Sequence, residues 1–590
     1  MPSRTVRHRS PSAAPRSSAP PFVPADASTF EARCDGLLAY AAPSERDDDR
    51  ARAIAEAAVA ETLPGTWVVT PLGPGARDYR IAPASGRAVP LARAWTLARQ
   101  LEAHRDVADA EPAVVQPGIE PPLELAEDFP TAQAFPRGSR DEAPLPCAGR
   151  HDWSLDLCRV REAWALTPPT SAGRARGEGI VVGHPDTGYT RHAEIWDSSP
   201  RLRTGESHDF VLRRADAIDP LEEGNPGHGT ATGSVIMSTD GNGTMPFVAG
   251  IAPAATLLPL RVTPKVVIIA FDRLAEAIHY ASDKGCHVIS MSLGGPVRSR
   301  TLERAIDRAV ANGIVVLAAA GNVWPFVVYP ARFDTVIACA ACNCERKVWS
   351  RSASGPAVDV TAPGESVWVA RAGRNAGPDD DGVAVGSGTS FAVAMTAGAC
   401  ALWLAFHDRA ALVARYGAAQ VPAVFKEVLM TSGVQVPAGW NTRRHGAGIL
   451  DVERLLKAPL PDTAPASGMQ LRSAARPRAE SDVDLLTEYF PGVEPAEVRR
   501  GLARWLATTD GELPALMATL GDEVLFHVAT NADVRRAILR GGGAKKRGRD
   551  IAAAGLTAAV RGTSSAGATR PAGAARFVRE ASPALQQRVR

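Results

Sequence analysis

Between residues 151 and 458, short apolar runs alternate with segments of helical spacing, and this alternation limits the fold more than any other feature. The runs are rich in small or β-branched residues, as buried strands are. They include 179–183, 257–262, 287–292 and 314–320, and the helical stretches between them include 271–284 and 301–312. This pattern favours an α/β fold, a doubly wound and mostly parallel sheet with helices on both faces.

Composition places the chain among globular proteins of several domains. Its 590 residues are 45% hydrophobic and 22% charged, which excludes disorder throughout. The net charge of +2 gives no argument that the whole chain binds nucleic acid or a membrane surface. Eight cysteines are too few for a disulfide scaffold.

Shifts in composition divide the chain into folded units, linkers and tails. The predicted parts are 1–63, a disordered tail with a helical lead; 64–117, a small α+β unit; 118–150, a linker; 151–458, the α/β domain; 461–480, a second linker; 481–540, a small helical unit; and 541–590, a basic and mostly disordered tail. In the last segment only Phe577 is aromatic, which favours a solvated tail over nucleic-acid binding.

Two observations bear on membranes and location. No uninterrupted apolar run reaches about 18 residues, so no membrane span is expected, and 391–406 is predicted to be a buried core helix. Residues 1–28 lack the apolar stretch of a signal peptide. A cytoplasmic location is therefore favoured over secretion.

Four short segments of the α/β domain place polar side chains at strand ends or helix starts. Asp186 ends an apolar run, and Asn322 follows 314–320. His228 and Ser390 each open an apolar helical run, in Gly-His-Gly-Thr and Gly-Thr-Ser. Since active sites of open α/β sheets gather at the carboxyl edge of the strands, we expect these four side chains to lie together.

These residue types are the parts of a nucleophilic hydrolase. A serine hydroxyl needs a base, so Ser390 is the candidate nucleophile and His228 the candidate general base and acid. A buried carboxylate on the other ring nitrogen fixes the tautomer, which is the role predicted for Asp186. Asn322 and the Ser390 amide can donate to the oxyanion of a tetrahedral intermediate. The chemistry predicted is acyl transfer without a required cofactor or metal.

Residues 151–458 resemble the catalytic domain of the subtilisin-like (subtilase) serine peptidases. Asp186-Thr-Gly, His228-Gly-Thr, Ala-Ala-Gly-Asn322 and Gly-Thr-Ser390 match the four signatures of the family, in its Asp, His, Ser order. The resemblance implies a serine endopeptidase that acts on proteins or peptides through an acyl-enzyme.

The resemblance also predicts the substrate cleft. The cleft strand of the family matches Ser292, Leu293 and Gly294, and the apolar segment 323–328 implies an apolar site narrowed by Val327 or Val328.

Three positions depart from the family pattern. Ala231 stands where a second His is usual, and Phe391 and Ala394 stand in place of Met and Pro after the serine. These positions are expected to affect packing and not proton transfer.

The α+β unit resembles a shortened form of the family's inhibitor-like prodomain, which assists folding and blocks the cleft until it is cut away. We therefore expect this unit to be a partner of the catalytic domain in a zymogen, with a cut somewhere in 118–150.

Two other hypotheses stay open. One is a non-catalytic binding scaffold on an inactive protease fold, with 481–540 as its working part. The other is an enzyme guided to one dedicated protein partner by 481–540. That helical unit is interpreted either as a docking module or as a packing appendage.

Other polar groups carry alternatives. His184 shares a strand face with Asp186, but Pro185 is expected to end regular pairing there, so His184 is interpreted as a bystander. The acids 379–381 fit a solvated loop. Residues 240–243 lie where relatives have a calcium loop, but they offer too few oxygen ligands to predict a structural calcium site.

The cysteines leave two pairings to weigh. The cluster of Cys339, Cys342 and Cys344 favours buried thiols over a metal site, because no fourth ligand accompanies it. A Cys147–Cys158 bridge fits an exported chain only, and the missing signal peptide favours reduced thiols.

Overall fold

The computed structural model describes residues 33–41, 48–115, 150–196, 201–222, 224–239, 248–372, 382–465, 482–490, 492–539 and 572–589. Within them lie an N-terminal α+β unit, a large α/β domain and a C-terminal helical unit.

The N-terminal unit is a four-stranded antiparallel sheet in the order β2-β3-β1-β4. Its elements are β1 (Arg33–Ala41), α1 (Asp48–Thr62), β2 (Trp67–Pro71), β3 (Asp78–Pro83), α2 (Leu91–Glu102) and β4 (Val107–Val115). Alternate residues of β1 face opposite sides. Leu37 packs with α1 and α2, whereas Leu38 packs with the α/β domain.

The helical lead predicted for the end of 1–63 is wrong at β1. This Ala- and Leu-containing segment is the strand between β3 and β4, antiparallel to both. Pairing on both edges and burial on both faces override its local helical preference. The α+β unit therefore includes β1 and α1 and does not begin at 64.

The α/β domain contains a ten-stranded sheet in the order β15-β16-β12-β11-β10-β9-β5-β8-β6-β7. Its strands are β5 (Val181–Asp186), β6 (His208–Asp209), β7 (Arg214–Ala215), β8 (Thr256–Arg261), β9 (Val288–Met291), β10 (Val315–Ala319), β11 (Ile337–Cys342), β12 (Val360–Pro363), β15 (Val434–Gln435) and β16 (Ile449–Leu450). A separate hairpin is formed by β13 (Val367–Ala370) and β14 (Val383–Gly386). From β6 to β16 the pairing is parallel, as predicted.

Helices cover both faces of this sheet, which confirms the doubly wound prediction. The helices are α3 (Trp153–Leu157), α4 (Val160–Trp164), α5 (His228–Met237), α6 (Asp272–Asp283), α7 (Arg300–Ala311), α8 (Thr389–Phe406), α9 (Arg409–Tyr416), α10 (Val421–Thr431), α11 (Thr442–His445) and α12 (Val452–Lys457). In β10, Val316 and Ala318 pack with α6 and α7, whereas Val315 and Leu317 pack with α5, α8 and α10.

Helix α8 is the apolar helix predicted for 391–406. Within the described residues it alone is long and apolar enough to cross a membrane, and every residue of it is buried inside the protein. That burial is typical of a core helix.

The C-terminal unit is made of α13 (Asp482–Thr487), α14 (Pro495–Trp505), α15 (Leu513–Thr530), α16 (Ala532–Leu539), α17 (Ala572–Glu580) and α18 (Pro583–Arg588). The sequence favours mostly disorder in 541–590 with room for one short helix, whereas the final part of this segment contains two helices, α17 and α18. Phe577 of α17, Leu585 of α18, and Ala581 and Val589 directly after these helices are all buried in the apolar cluster that contains α14 and α15. Residues 541–571 lie outside the described part.

His527 is a buried titratable group in this unit. Its ring lies 5.0 Å from the Phe577 ring and 5.4 Å from the Phe526 ring, and neither ring nitrogen has a hydrogen-bond partner in the part of the chain that the structure describes. Burial, with the Arg576 charge as a second cause, lowers the pKa of His527 to about 3. Between about pH 6.5 and pH 3, His527 is therefore protonated in the unfolded chain but neutral in the folded chain.

We predict that His527→Leu makes stability less sensitive to acid. Because the folded pKa lies below the unfolded one, this group's contribution is complete above about pH 6.5 and is lost as pH falls towards 3. Between pH 7.5 and 5.0 the parent should lose about 2 kcal/mol more unfolding free energy than the variant, measured by denaturant titration. Other buried histidines act equally in both proteins, so parallel losses would contradict this assignment.

Candidate active site

The four predicted side chains come from elements that meet at the carboxyl edge of the parallel sheet. Asp186 is the last residue of β5, and Asn322 follows β10. His228 is the first residue of α5, and Ser390 is the second residue of α8. His228 at the start of α5 contacts Asp186 at the end of β5, and Ser390 at the start of α8 contacts Ser292 directly after β9, so both helix N-termini lie at this edge.

Asp186 and His228 form a hydrogen-bonded pair that is excluded from solvent. His228 Nδ1 and Asp186 Oδ1 are 2.6 Å apart, and both side chains are fully buried. The Thr187 amide also donates to Asp186 Oδ1, at 2.7 Å. The carboxylate therefore holds the imidazole by one nitrogen and leaves the other directed away from it.

The environment keeps Asp186 ionised. Burial acts to raise the pKa of this carboxyl, but the charge and hydrogen bond of His228 outweigh burial and lower it below its usual value. An ionised carboxylate beside an imidazole stabilises the protonated ring.

A glycine contact sets the approach of α5 to β5. A Cβ on Gly229 would lie 2.0 Å from the Gly188 carbonyl oxygen, closer than any side chain allows. The close backbone contact places His228, one residue earlier, beside Asp186.

Ser390 and Ser292 are joined by two hydrogen bonds. The Ser390 hydroxyl donates to the Ser292 carbonyl at 3.2 Å, and the Ser292 hydroxyl donates to the Ser390 carbonyl at 3.1 Å. The predicted cleft residue Ser292, which follows β9, therefore fixes the start of α8.

The Asn322 amide is held in one orientation by Thr389. Asn322 Oδ1 accepts from the Thr389 amide at 2.9 Å and from its hydroxyl at 2.8 Å. The Thr389 hydroxyl in turn accepts from the Gly321 amide at 3.1 Å. Because Thr389 binds Asn322 Oδ1, the side-chain Nδ2 of Asn322 points away from Thr389.

A pocket opens beside Ser390 and has a cavity volume of about 40 Å³. Its lining includes the predicted Ser292, Leu293 and Gly294, together with Asn322 and Val328. Of the two valines proposed to narrow the site, Val328 lines the pocket. Val327 is instead buried in the core that contains α6 and α7.

His184, predicted to be a bystander, lies against the other oxygen of the Asp186 carboxylate. Its Nε2 is 3.8 Å from Asp186 Oδ2 and 3.0 Å from Thr232 Oγ1, which is itself 3.4 Å from Asp186 Oδ2. The expected end of pairing at Pro185 is wrong on one side. Pairing of β5 with β9 stops at Gly183, two residues before Pro185, which has no backbone N–H to donate. Pairing of β5 with β8 continues to Asp186.

The cysteine cluster does not converge. Cys339 and Cys342 are buried cysteines three residues apart on β11, so they point to opposite faces. Cys344 is disulfide-bonded, which contradicts the expectation of reduced thiols throughout. Cys158 is a free thiol, so the structure does not contain the Cys147–Cys158 bridge that the sequence analysis considered.

Among the described residues no group of three or more His, Cys, Asp or Glu side chains could hold a metal ion. The weighed calcium loop, 240–243, and the acids 379–381 lie outside those residues.

Sequence reasoning missed the supporting hydroxyls. Thr187 precedes Gly188 in the aspartate segment, and its hydroxyl donates to Asp219 Oδ2 at 2.8 Å. Thr389 and Thr232 act on Asn322 and Asp186 as described above. Thr389 stands directly before Ser390, so its position was visible, but its hydrogen bond to a residue on another element was not.

The chain matches the family model described as the subtilase family over residues 177–448. Among curated proteins it is 35% identical to subtilisin DY of Bacillus licheniformis over 234 residues, which cover 39% of this chain and 78% of that protein. It is 34% identical to the intracellular serine protease of Paenibacillus polymyxa over 245 residues, with coverage of 40% and 70%.

A solved structure with a similar fold is that of fervidolysin from Fervidobacterium pennivorans, a keratinolytic enzyme related to subtilisin. The TM-score is 0.50 at 19% identity, and the match covers 73% of this chain and 62% of that one. At this identity the likeness concerns the fold.

We predict that Gly229→Ala destabilises the protein. The added methyl group must displace the Gly188 carbonyl, and such overpacking costs about 1–3 kcal/mol. Thermal unfolding measures the loss. Gly205→Ala is the matched control, because a Cβ there meets nothing within 4 Å. Equal melting temperatures for the two variants would contradict the predicted close contact.

Proposed function

The chain belongs to the subtilase family of serine endopeptidases, and we propose that Asp186, His228 and Ser390 are its catalytic triad, with Asn322 as oxyanion donor. The observation that carries the proposal is the buried 2.6 Å pair of Asp186 and His228 at the sheet edge where α8 presents Ser390.

In the first half-reaction the Ser390 hydroxyl turns from the Ser292 carbonyl towards His228. Catalytic hydrogen bonds of this kind often form only when substrate is bound. Ser390 Oγ attacks the scissile carbonyl carbon as its proton passes to His228 Nε2. Asp186 stabilises the imidazolium that results, because it stays ionised in its buried site.

The tetrahedral intermediate carries its charge on the former carbonyl oxygen. The Asn322 side-chain N–H donates to that oxygen, with the amide fixed by Thr389, and the Ser390 amide at the start of α8 is the second donor. A fixed donor needs no reorganisation as charge develops. Removal of one such donor typically costs about 10²–10³ in turnover.

The intermediate collapses when His228 gives its proton to the leaving amine, which yields the Ser390 acyl-enzyme. Water then attacks the ester while His228 accepts a proton from it, and Ser390 leaves with that proton. These side chains supply every proton transfer, so the proposed chemistry requires no cofactor.

The proposed substrates are proteins or peptides with an apolar residue before the scissile bond. The pocket beside Ser390 is lined by Val266, Leu293, Val328 and other uncharged described residues. Val328 lies between the two walls, because Cβ positions built on Gly294 and Gly321 would be 3.2 and 3.1 Å from its Cγ2. Val328 therefore limits the depth of the pocket.

The N-terminal α+β unit is proposed to be the inhibitory prodomain of this enzyme, released from the chain by a cut in 118–150. Its sheet packs on α6 and α7, and Glu111 of β4 accepts hydrogen bonds at the start of α7 from the Ser299 hydroxyl at 2.6 Å and the Arg300 amide at 3.0 Å. A carboxylate at a helix N-terminus is stabilised by the helix dipole.

The cytoplasmic location stays a prediction. The disulfide at Cys344 argues against it, because disulfides persist mainly in oxidising compartments.

We predict that a fluorophosphonate probe labels the wild-type protein once the N-terminal unit has been cut from the chain and removed, and that Ser390→Ala abolishes labelling. The probe reacts only with a serine activated by its base. Ser432→Ala, which changes a serine remote from the site, should label like the parent. Labelling that survives in Ser390→Ala would place the nucleophile elsewhere, and no labelling of the parent after its N-terminal unit has been removed would favour the non-catalytic scaffold.

We predict that Val328→Ala deepens the specificity pocket. Loss of two methyl groups should raise kcat/KM for a Phe or Leu substrate relative to an Ala substrate by about 10-fold or more. Peptide series that differ only at that residue measure the ratio. Val327→Ala is the control, since Val327 is buried in the core and does not line the pocket. An unchanged ratio would remove Val328 from the pocket.

A further inference from the structure

The C-terminal helical unit reaches into the core of the N-terminal unit. Phe526 of α15 is fully buried and packs in the same apolar cluster as Leu37, Leu97 and Leu101 of the N-terminal unit. Its ring meets the Trp95 ring of α2 edge-on, with centroids 5.9 Å apart and planes at 63°. Phe526 of the C-terminal helical unit is therefore part of the apolar core of the N-terminal unit.

A buried carboxylate next to this anchor ties three helices together. Glu523 Oε2 accepts from Arg99 of α2 at 2.8 Å and from the Ser582 hydroxyl at 2.9 Å, and Glu523 Oε1 accepts from the Ser582 amide at 2.6 Å. Ser582 caps α18 through the Leu585 amide. Glu523 is almost wholly buried, so loss of one partner leaves a charge with fewer donors.

Arg300 of the catalytic domain stands where all three units meet. Its Nε donates to Asp522 of α15 at 2.8 Å, while its Nη1 donates to Asp109 at 2.8 Å and to Glu102 at 3.2 Å in the N-terminal unit. The space left at this junction is a cavity of only about 30 Å³. The three units are therefore closely packed here.

We propose that the C-terminal helical unit is a second docking surface for the N-terminal unit, which it retains on the enzyme after the linker has been cut. This inference rests on the proposed role of the N-terminal unit as an inhibitory prodomain. None of the contacts above involves 116–149, so a cut in that segment leaves them in place. The helical unit thereby delays the onset of activity.

We expect Phe526 and Glu523 to contribute most of the affinity between the helical unit and the N-terminal unit. Buried aromatic anchors at the centre of an interface typically dominate its affinity. We expect Phe526→Ala to release the cut N-terminal unit at least about 30-fold faster, and Glu523→Gln about 10-fold faster.

The test uses the full chain with Ser390→Ala, so that it cannot cut itself, and a site-specific protease sequence inserted within 118–149. After cutting, native mass spectrometry and gel filtration follow dissociation of the N-terminal unit. The reference should retain it, and Phe526→Ala, Trp95→Ala and Arg99→Leu should release it faster. The Trp95→Ala, Phe526→Ala double variant should change the rate by less than the product of the single effects.

Glu512→Gln is the matched control, since Glu512 lies just before the same helix and is fully exposed, and its release rate should equal the reference. Trp95→Ala and Arg99→Leu leave the helical unit unaltered, so faster release in them does not depend on its folding. For the variants within the helical unit, circular dichroism of the uncut proteins checks that the fold is retained. Immediate release from the reference, or equal release rates for reference, Trp95→Ala and Phe526→Ala, would overturn the proposal.

These outcomes are separate from those of the proposed catalysis. The dissociation assay needs no active serine, whereas fluorophosphonate labelling needs no docked N-terminal unit. A protein that labels at Ser390 but loses its N-terminal unit on cutting refutes the second docking surface alone.

Discussion

The buried hydrogen bond between Asp186 and His228 is the contact on which the site depends. A carboxylate without solvent is costly unless it is paired, and here the pairing group is the imidazole itself. The bond requires the end of β5 and the start of α5 to touch through their backbones, which Gly188 and Gly229 allow. The remaining polar contacts, through Thr187 and Thr232, orient the same carboxylate.

Around that site the three units share contacts. The N-terminal sheet packs on α6 and α7, and α15 of the C-terminal unit packs against the N-terminal unit through Phe526. The helical unit also contacts residues that stand within two positions of the lining residues Gly294 and Trp324 of the pocket beside Ser390. The Tyr489 hydroxyl donates to the Pro296 carbonyl, and its ring lies 4.7 Å from the Phe326 ring. One helical unit thus contacts both the N-terminal unit and the segments beside the pocket.

The predictable parts of the fold are those whose signal is local. Buried strands such as β9 and β10 are continuous apolar runs, and α6 and α7 have clear helical spacing, so their positions followed from pattern alone. Strand β1 was mistaken for helix because its Ala and Leu residues fit either state, and only its pairing with β3 and β4 decides between them. For 541–590 the sequence favours a mostly disordered tail because basic residues outnumber the few apolar ones, and only the packing of Phe577 and Leu585 against the other helices decides the outcome.

By itself the sequence determined the fold class and the family, and it predicted the four polar residues Asp186, His228, Asn322 and Ser390, because each rests on a short motif or on a local period. Only the tertiary structure decided that Thr389 fixes Asn322, that Val328 and not Val327 lines the pocket, and that His184 borders the Asp186 carboxylate. It alone placed Phe526 in the core of the N-terminal unit. Such contacts join residues far apart in the chain, and no local pattern carries that information.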